Sequence, residues 1–333
     1  MRPCILVVNC ATEIIMIKKT PPVNYLNNKD ILKEIHKSKM SFCFLTDEKY
    51  FLPDIILNDI EDITKEYTVQ HPVLDENGNP ELTETGRERF TIEKRTIMQD
   101  AKENKASRIQ SERYAAAMKL HDRADYKNKP KQKDFAIDIA EFDDEEIVFR
   151  VMTFDHIPLA PGRKKTIRNE GDSYEKVNFP PFKHYAYVDG KITEVARSHW
   201  KGDMETGEFC CTHGRLTNKL GTMMLKLVER YSHRGNWRGY TYVDEMRGQA
   251  LVQLSQIGLQ FNESKSNNPF AYYTAVVNNC FTRVLNIEKH NQKIRDDILI
   301  DEGHLPSYGR QLAHEAEMRN MREAAEAEDT NDI

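Results

Sequence analysis

Tyr272, Val276, Asn279 and Arg283 recur at i, i+4, i+7 and i+11, and Lys289, His290, Lys293 and Arg295 follow closely. On a helix this spacing makes one face, with an aromatic ring at one end, an amide midway and cations toward the other. Those side-chain types suit a nucleic acid. Cations neutralise phosphates, amides pair with base edges, and an aromatic ring supports an unstacked base. An ordinary solvated face carrying a surface tyrosine shows the same periodicity, so spacing alone leaves both readings open. Charge is distributed in keeping with a local site. Lys219 to Arg295 holds eleven Lys and Arg against five Asp and Glu, whereas Asp296 to the end holds eleven acids against three Arg.

Two other groupings bear on catalysis or metal binding. Cys210, Cys211 and His213, with His199 and His184 upstream, are metal-ligand types, but zinc ligand pairs are generally separated by two to four residues. Adjacent cysteines fit that poorly, and a packed thiol with incidental histidines is the plainer reading. Cys280 beside an apolar stripe reads as another packed thiol. The acidic run Asp138 to Glu146 reads as a solvated face. No Gly-rich phosphate loop, Ser/His/Asp order or paired metal motif is present, so no catalytic residue, metal or cofactor is expected.

The whole chain bounds these readings. It has 333 residues, room for about two domains by the ~150-residue prior, with 39% hydrophobic and 30% charged residues and a net charge of -5. That charge excludes a protein that coats nucleic acid indiscriminately. Mean hydropathy is -0.69, and no stretch approaches the ~20 apolar residues of a membrane helix. The opening run Cys4 to Ile15 is apolar but interrupted by Asn9 and Glu13, and it does not read as a signal peptide. Met16 is an alternative start, with residues 1–15 a tail. Six cysteines are too sparse for a disulfide scaffold and point to a reducing compartment.

The elements that must position the site are sharpest in the C-terminal half. Leu216, Leu220, Met223, Met224, Leu227, Val228 and Tyr231 form an amphipathic stripe. A Gly-rich aromatic loop, Ser232 to Tyr240, leads to a second helix over Val243 to Phe261. A polar turn, Asn262 to Asn268, precedes a third helix, with Asn268 as cap and Pro269 in the first turn. Phe270, Tyr273, Val277, Phe281 and Val284 make its buried stripe. Upstream, residues 16–40 form a short helical segment capped at Asn28, with Ile31, Leu32 and Ile35 apolar. Residues 41–180 carry turn chemistry over 72–86, a helix over Arg87 to Tyr126 centred on Ala115 to Ala117, and a basic linker, Lys127 to Lys133. Gly162 to Lys165 then precedes a hairpin over His184 to Val195, turning at Asp189-Gly190.

The stretch Gly239-Tyr-Thr-Tyr-Val-Asp-Glu-Met-Arg through Ile257-Gly-Leu-Gln-Phe, then Asn268-Pro-Phe-Ala-Tyr-Tyr-Thr-Ala-Val-Val-Asn-Asn-Cys-Phe-Thr-Arg-Val-Leu, resembles region 2 of sigma-70-type factors. The likeness is closest to the late-promoter RNA polymerase sigma factors of T4-like bacteriophages, and Asn24-Tyr-Leu-Asn-Asn-Lys-Asp-Ile-Leu near the start resembles that family's N-terminal segment too. Together these cover about a third of the chain. The resemblance implies that Val243 to Phe261 docks on the clamp helices of the largest subunit of host RNA polymerase core, through Glu245, Gln249 and Gln253. It implies that Phe270 to Lys293 melts a −10-like element, with a base held against the ring aligned at Tyr273, while periodicity turns Tyr272 outward.

Three departures from the family pattern matter. The tryptophan pair of housekeeping sigma factors aligns with Val276 and Val277, which implies a weaker wedge. No helix-turn-helix pattern follows Arg295. The family's C-terminal sliding-clamp motif is apolar, whereas here only Ile333 is apolar at the tip.

The expectation is therefore a mainly α protein with a sigma region 2-like helical bundle over 184–298 and a mixed, irregular insert over 41–180. A small β-hairpin and an acidic tail over 299–333 complete it. The expected DNA-contacting residues are Tyr272, Tyr273, Val276, Asn279, Arg283, Lys289, His290 and Lys293. Its partners would be polymerase core, promoter DNA and, more remotely, a phage co-activator and the sliding clamp, with no membrane, in the cytoplasm of an infected bacterium. The alternatives are a DNA-binding or assembly protein that acts without polymerase, and a metal-dependent nuclease.

Overall fold

The computed structural model describes residues 26–73, 88–124, 129–162 and 170–331. The opening apolar run, Met16, most of the 72–86 turn, the start of the basic linker, Arg163 to Lys165 and Ile333 lie outside the described residues. In chain order the elements are α1 (Asn28–Met40), β1 (Cys43–Leu45), β2 (Ile55–Leu57), β3 (Glu66–Pro72), β4 (Phe90–Thr96) and α2 (Ile97–Ala124). Then follow β5 (Phe149–Met152), β6 (Phe182–Val188), β7 (Lys191–Ser198), β8 (Trp200–Lys201), β9 (Glu208–Phe209), α3 (Asn218–Ser232), α4 (Val243–Ile257), α5 (Pro269–Asp301) and α6 (Tyr308–Asn331). The protein is mainly helical, and none of the described helices is long and apolar enough to cross a membrane.

The expected hairpin is real but belongs to a larger sheet. Asp189 and Gly190 both take positive φ, 51° and 74°, the two-residue geometry that matches strand twist. The strands they join, β6 and β7, are the middle of a five-stranded sheet in the order β1-β7-β6-β5-β2, antiparallel except for the β2–β5 pair. Alternation divides the faces. Phe149 and Val151 point toward α2 and pack with Leu57, Ile63, Ala101 and Ile147, whereas Arg150 and its cross-strand neighbour His184 point the other way. Asp54 fixes α2 to this sheet, accepting from the Val148 N–H at 3.0 Å and pairing with Arg108 at 2.8 Å.

The helix expected from Arg87 starts ten residues later. Its first part is β4, which pairs antiparallel with β3 from Glu66–Thr96 to Pro72–Phe90. The helix begins where Thr96 and Gln99 cap one another: the Gln99 N–H donates to Thr96 Oγ1 at 3.2 Å and the Thr96 N–H to Gln99 Oε1 at 3.0 Å. Ala, Glu, Lys and Arg favour helix strongly enough to mask the short strand before it.

The helical bundle is α1, α3, α4 and α5. The stripe read on α3 is buried from Leu220 to Tyr231, and it packs with Met246, Ala250 and Leu254 of α4 and with Tyr273, Val277, Phe281 and Val284 of α5. Helix α1 adds Ile31 and Ile35. Its cap is Asn27, one residue before the expected Asn28; Asn28 instead accepts from the Phe270 N–H at 3.2 Å, tying the starts of α1 and α5 together. Phe270, expected in the buried stripe, is 36% exposed.

These contacts redraw the boundaries. The sheet takes strands from 43–57 and from 149–198, so a division at 184 would cut it; the C-terminal helices begin at Asn218 and draw in residues 28–40. The acidic tail is α6, connected to the end of α5 through Ser307, whose N–H and hydroxyl both donate to Asp296 at 2.8 and 2.7 Å.

Candidate nucleic-acid interface

Helix α5 is held firmly at its N-terminal half. Asn268 caps it, accepting from the Ala271 N–H at 3.1 Å. Trp237 and Tyr231 stand edge-on to Phe281 with ring centroids 5.3 Å away in each case, and the Tyr231 hydroxyl donates to Asn278 Oδ1 at 2.6 Å. The sequence marked the Trp237 loop only as aromatic; it is a wall of the α5 seat.

The two tyrosines separate. Tyr273 is 2% exposed, and its hydroxyl donates to the Gly258 carbonyl at 2.7 Å. Burial pushes its phenol far above the usual tyrosine range. A ring sealed and satisfied in this way presents no surface to a base, which corrects the assignment of base stacking to Tyr273: the core stripe claims it. Tyr272 is half-buried, its ring 5.5 Å from those of Phe261 and Tyr273 and its hydroxyl donating to the Ile257 carbonyl at 3.3 Å. It remains partly accessible. Val276 is half-buried against the same core.

Beyond the tyrosines the outward face of α5 is open. Asn278, Asn279, Thr282, Arg283, Asn286, Ile287 and His290 line a trough of about 740 Å³ along the helix. Asn279, Arg283, Lys289, His290 and Lys293 are all exposed. The structure therefore gathers the expected amide and cations on one accessible helix surface, with Tyr272 two turns away along the same side.

On α4, Glu245 and Gln249 are exposed and paired one turn apart, the amide donating to the carboxylate at 2.9 Å, while Gln253 is half-buried. Met246, Ala250 and Leu254 hold the opposite side in the core.

Sequence reasoning missed a buried ionic cluster where the bundle meets the sheet. Lys39 of α1 is fully buried and donates to Glu263 at 2.6 Å and to the Phe261 carbonyl at 2.8 Å. Arg150, also fully buried, donates to His184 Nε2 at 3.0 Å, lies 2.8 Å from His36 Nδ1 and stacks 3.8 Å over the Phe182 ring. His184 Nδ1 meets the Tyr50 carbonyl at 2.9 Å, so this nitrogen donates and Nε2 accepts. Burial alone would raise the Glu263 carboxyl; its interactions with Lys39, His36 and Arg150 overcome it and hold the group at about 2. Burial lowers Lys39 to about 8 and, with Arg150 beside it, His36 to about 3. Lys39 falls in line with Ile31 and Ile35, a signal that could have exposed its burial. Glu263 lies in the turn between α4 and α5, so the cluster fixes the connection between the two candidate faces.

The cysteine–histidine grouping divides: His184 leaves it, whereas His199, Cys210 and His213 stay neighbours, the Cys210 N–H donating to the His199 carbonyl at 2.8 Å. His184 serves the ionic cluster, and His199 is buried with its ring 4.1 Å from that of Phe179. Cys210 meets Thr212 Oγ1 at 3.4 Å; hydrogen bonds from the Thr212 side chain, then from the Thr212 and His213 backbone, bring its thiol down to about 6. Cys280 is half-buried. Among the described residues no group of three or more His, Cys, Asp or Glu side chains is placed to hold a metal ion. The acidic run is bound to α2, Lys102 pairing with Asp144 at 2.7 Å and Lys105 with Glu146 at 2.9 Å.

Compared with protein-family models, curated proteins and solved structures, the chain matches none.

Proposed function

We propose that this protein is a sigma-type initiation factor that directs a host RNA polymerase core to bacteriophage late promoters and helps to melt a −10-like element there. One observation carries the reading: the exposed trough of α5, with amides, Arg283 and His290 on its walls and Lys289 and Lys293 beyond, on a helix locked into a rigid bundle. In this reading the trough follows one unwound strand. Arg283, Lys289 and Lys293 take phosphates, Asn279 takes a base edge, and the accessible part of the Tyr272 ring takes an unstacked base. Glu245 and Gln249 meet polymerase.

The energetics set what each part must do. Extruding a base costs a few kcal/mol, and stacking on an aromatic returns about 1–3 kcal/mol. With Tyr273 sealed, one ring remains, so phosphate neutralisation and polymerase contacts supply the rest. The polymerase performs the chemistry, and the factor acts in the cytoplasm of the infected cell.

The test reconstitutes core enzyme, this protein and a template bearing a TATAAATA-type element, with permanganate reporting unpaired thymines. Wild type should bind core and open the template. Glu245→Lys should lose core binding, while Tyr272→Ala should keep it and open about tenfold less. Failure of the wild-type protein to bind core would remove the sigma reading and leave a polymerase-independent DNA-binding protein as its successor.

A further inference from the structure

The apolar stripe of α5 does not end where the bundle ends. Tyr273, Val277 and Val284 are buried and Cys280 is half-buried at alternating steps of four and three. The same steps continue as Ile287, Asn291, Ile294 and Ile298, where the three isoleucines are 49, 44 and 51% exposed. This is a heptad seam, with Val284, Asn291 and Ile298 at a and Ile287 and Ile294 at d. The link to α6 lies mainly on another flank, with Gln292 and Asp296, at b and f, meeting Ser307, and reaches the seam's edge only where Asp297, at g, holds Arg310. Ile298, Leu299 and Ile300 are exposed in succession at the helix end.

We propose that this seam pairs with a second copy of the chain as a short antiparallel coiled coil, Ile287 against the partner's Ile298 and Asn291 against the partner's Ile294. Two arguments choose the occupant and its direction. Glu288 and Arg295 occupy e, and His290 and Asp297 occupy g. Antiparallel helices bring e to e and g to g, so Glu288 meets the partner's Arg295 and His290 meets the partner's Asp297, each twice about the twofold axis. A parallel pair would set Asp297 against the partner's Glu302.

Steric exclusion selects the same direction. The upstream part of the seam is already filled by the protein's own α3 and α4. Parallel pairing would drive two bundles into one space, whereas antiparallel pairing leaves them at opposite ends. Asn291 is no obstacle, because its amide donates within its own helix to Glu288 at 3.3 Å. Asp297 already holds Arg310, so the e pair contributes more than the g pair. Lys289 and Lys293, at f and c, stay outside the seam, but Ile287 and His290 also line the α5 trough, so the pairing and a strand in the trough compete for that end of the helix.

An overlap of about twelve residues spans roughly 18 Å, which makes a small interface and a dissociation constant in the micromolar range. Sedimentation equilibrium of the full chain from roughly 5 to 500 µM tests it. Wild type should pass from monomer to dimer mass, and Ile294→Asp with Ile298→Asp should remain monomeric with an unchanged circular dichroism spectrum. Glu288→Arg or Arg295→Glu alone should weaken association by roughly tenfold, and the two together should restore it. A monomer across the whole range, or reversal without rescue, would overturn the antiparallel seam.

Discussion

Taken from pH 7 to pH 4.5, the protein is expected to unfold cooperatively with a midpoint near pH 5. Four histidines are kept neutral in the fold. Burial, the largest cause in each case, brings His36 and His199 to about 3 and His156 to about 4, and puts His184 well below its ordinary value. Arg150 adds to the effect at His36 and His184. Unfolded imidazoles take up protons near pH 6.5 and the folded ones do not, so below that pH the unfolded state binds more protons and stability falls. Each contributes about 1.4 kcal/mol per pH unit, together up to about 5 kcal/mol per unit. Against a total of about 5–15 kcal/mol, one or two units of acidification suffice. Glu263 steepens the loss below pH 4.5, because its folded carboxyl stays ionised to about 2. Far-ultraviolet circular dichroism against pH measures this; an intact fold at pH 4 would contradict it.

Removing Glu263 should cost nearly as much as any single change in the core. Glu263→Ala leaves Lys39 and Arg150 as two buried cations with no carboxylate between them, and breaking a buried pair by removing one partner costs about 3–5 kcal/mol. Lys39→Met with Glu263→Ala removes both charges, while Arg150 keeps His36, His184 and the Phe182 face. Urea titrations of the two single variants and the double should show a coupling of about 2 kcal/mol or more. A cost below about 1 kcal/mol for Glu263→Ala would mean that the cluster contributes little to the join between α1, the sheet and the α4–α5 turn.

The sequence was most legible where the structure is local. The α3 stripe and the Asn268-Pro269 start depend on neighbours within one or two turns, and the Asp189-Gly190 hairpin needs only two positive φ angles. Strands β1 and β2 have three residues each and pair with partners far along the chain, so nothing in their own composition marks them. β4 was read as helix because Phe90 and Ile92 sit on an exposed hairpin, 48 and 64% accessible, beside a strongly helical run. Periodicity puts Tyr273 in the core stripe, where it is buried, and turns Tyr272 outward; the resemblance alone sets the base against Tyr273, one residue of rotation, about 100°, away. Arg150 was hidden in the apolar run Ile147 to Met152, where strand alternation turns it away from its neighbours toward the bundle.

The salt dependence of single-strand binding tests the α5 face most directly. A fluorescent oligonucleotide titrated with the full chain at several salt concentrations gives a slope that counts phosphate contacts, about 0.7 per contact on a single strand. Replacing Arg283, Lys289 and Lys293 together by Gln should lower that slope by about two, whereas Tyr272→Ala should weaken binding and leave the slope alone. An unchanged slope in the triple variant would mean that the strand does not run along this face of α5.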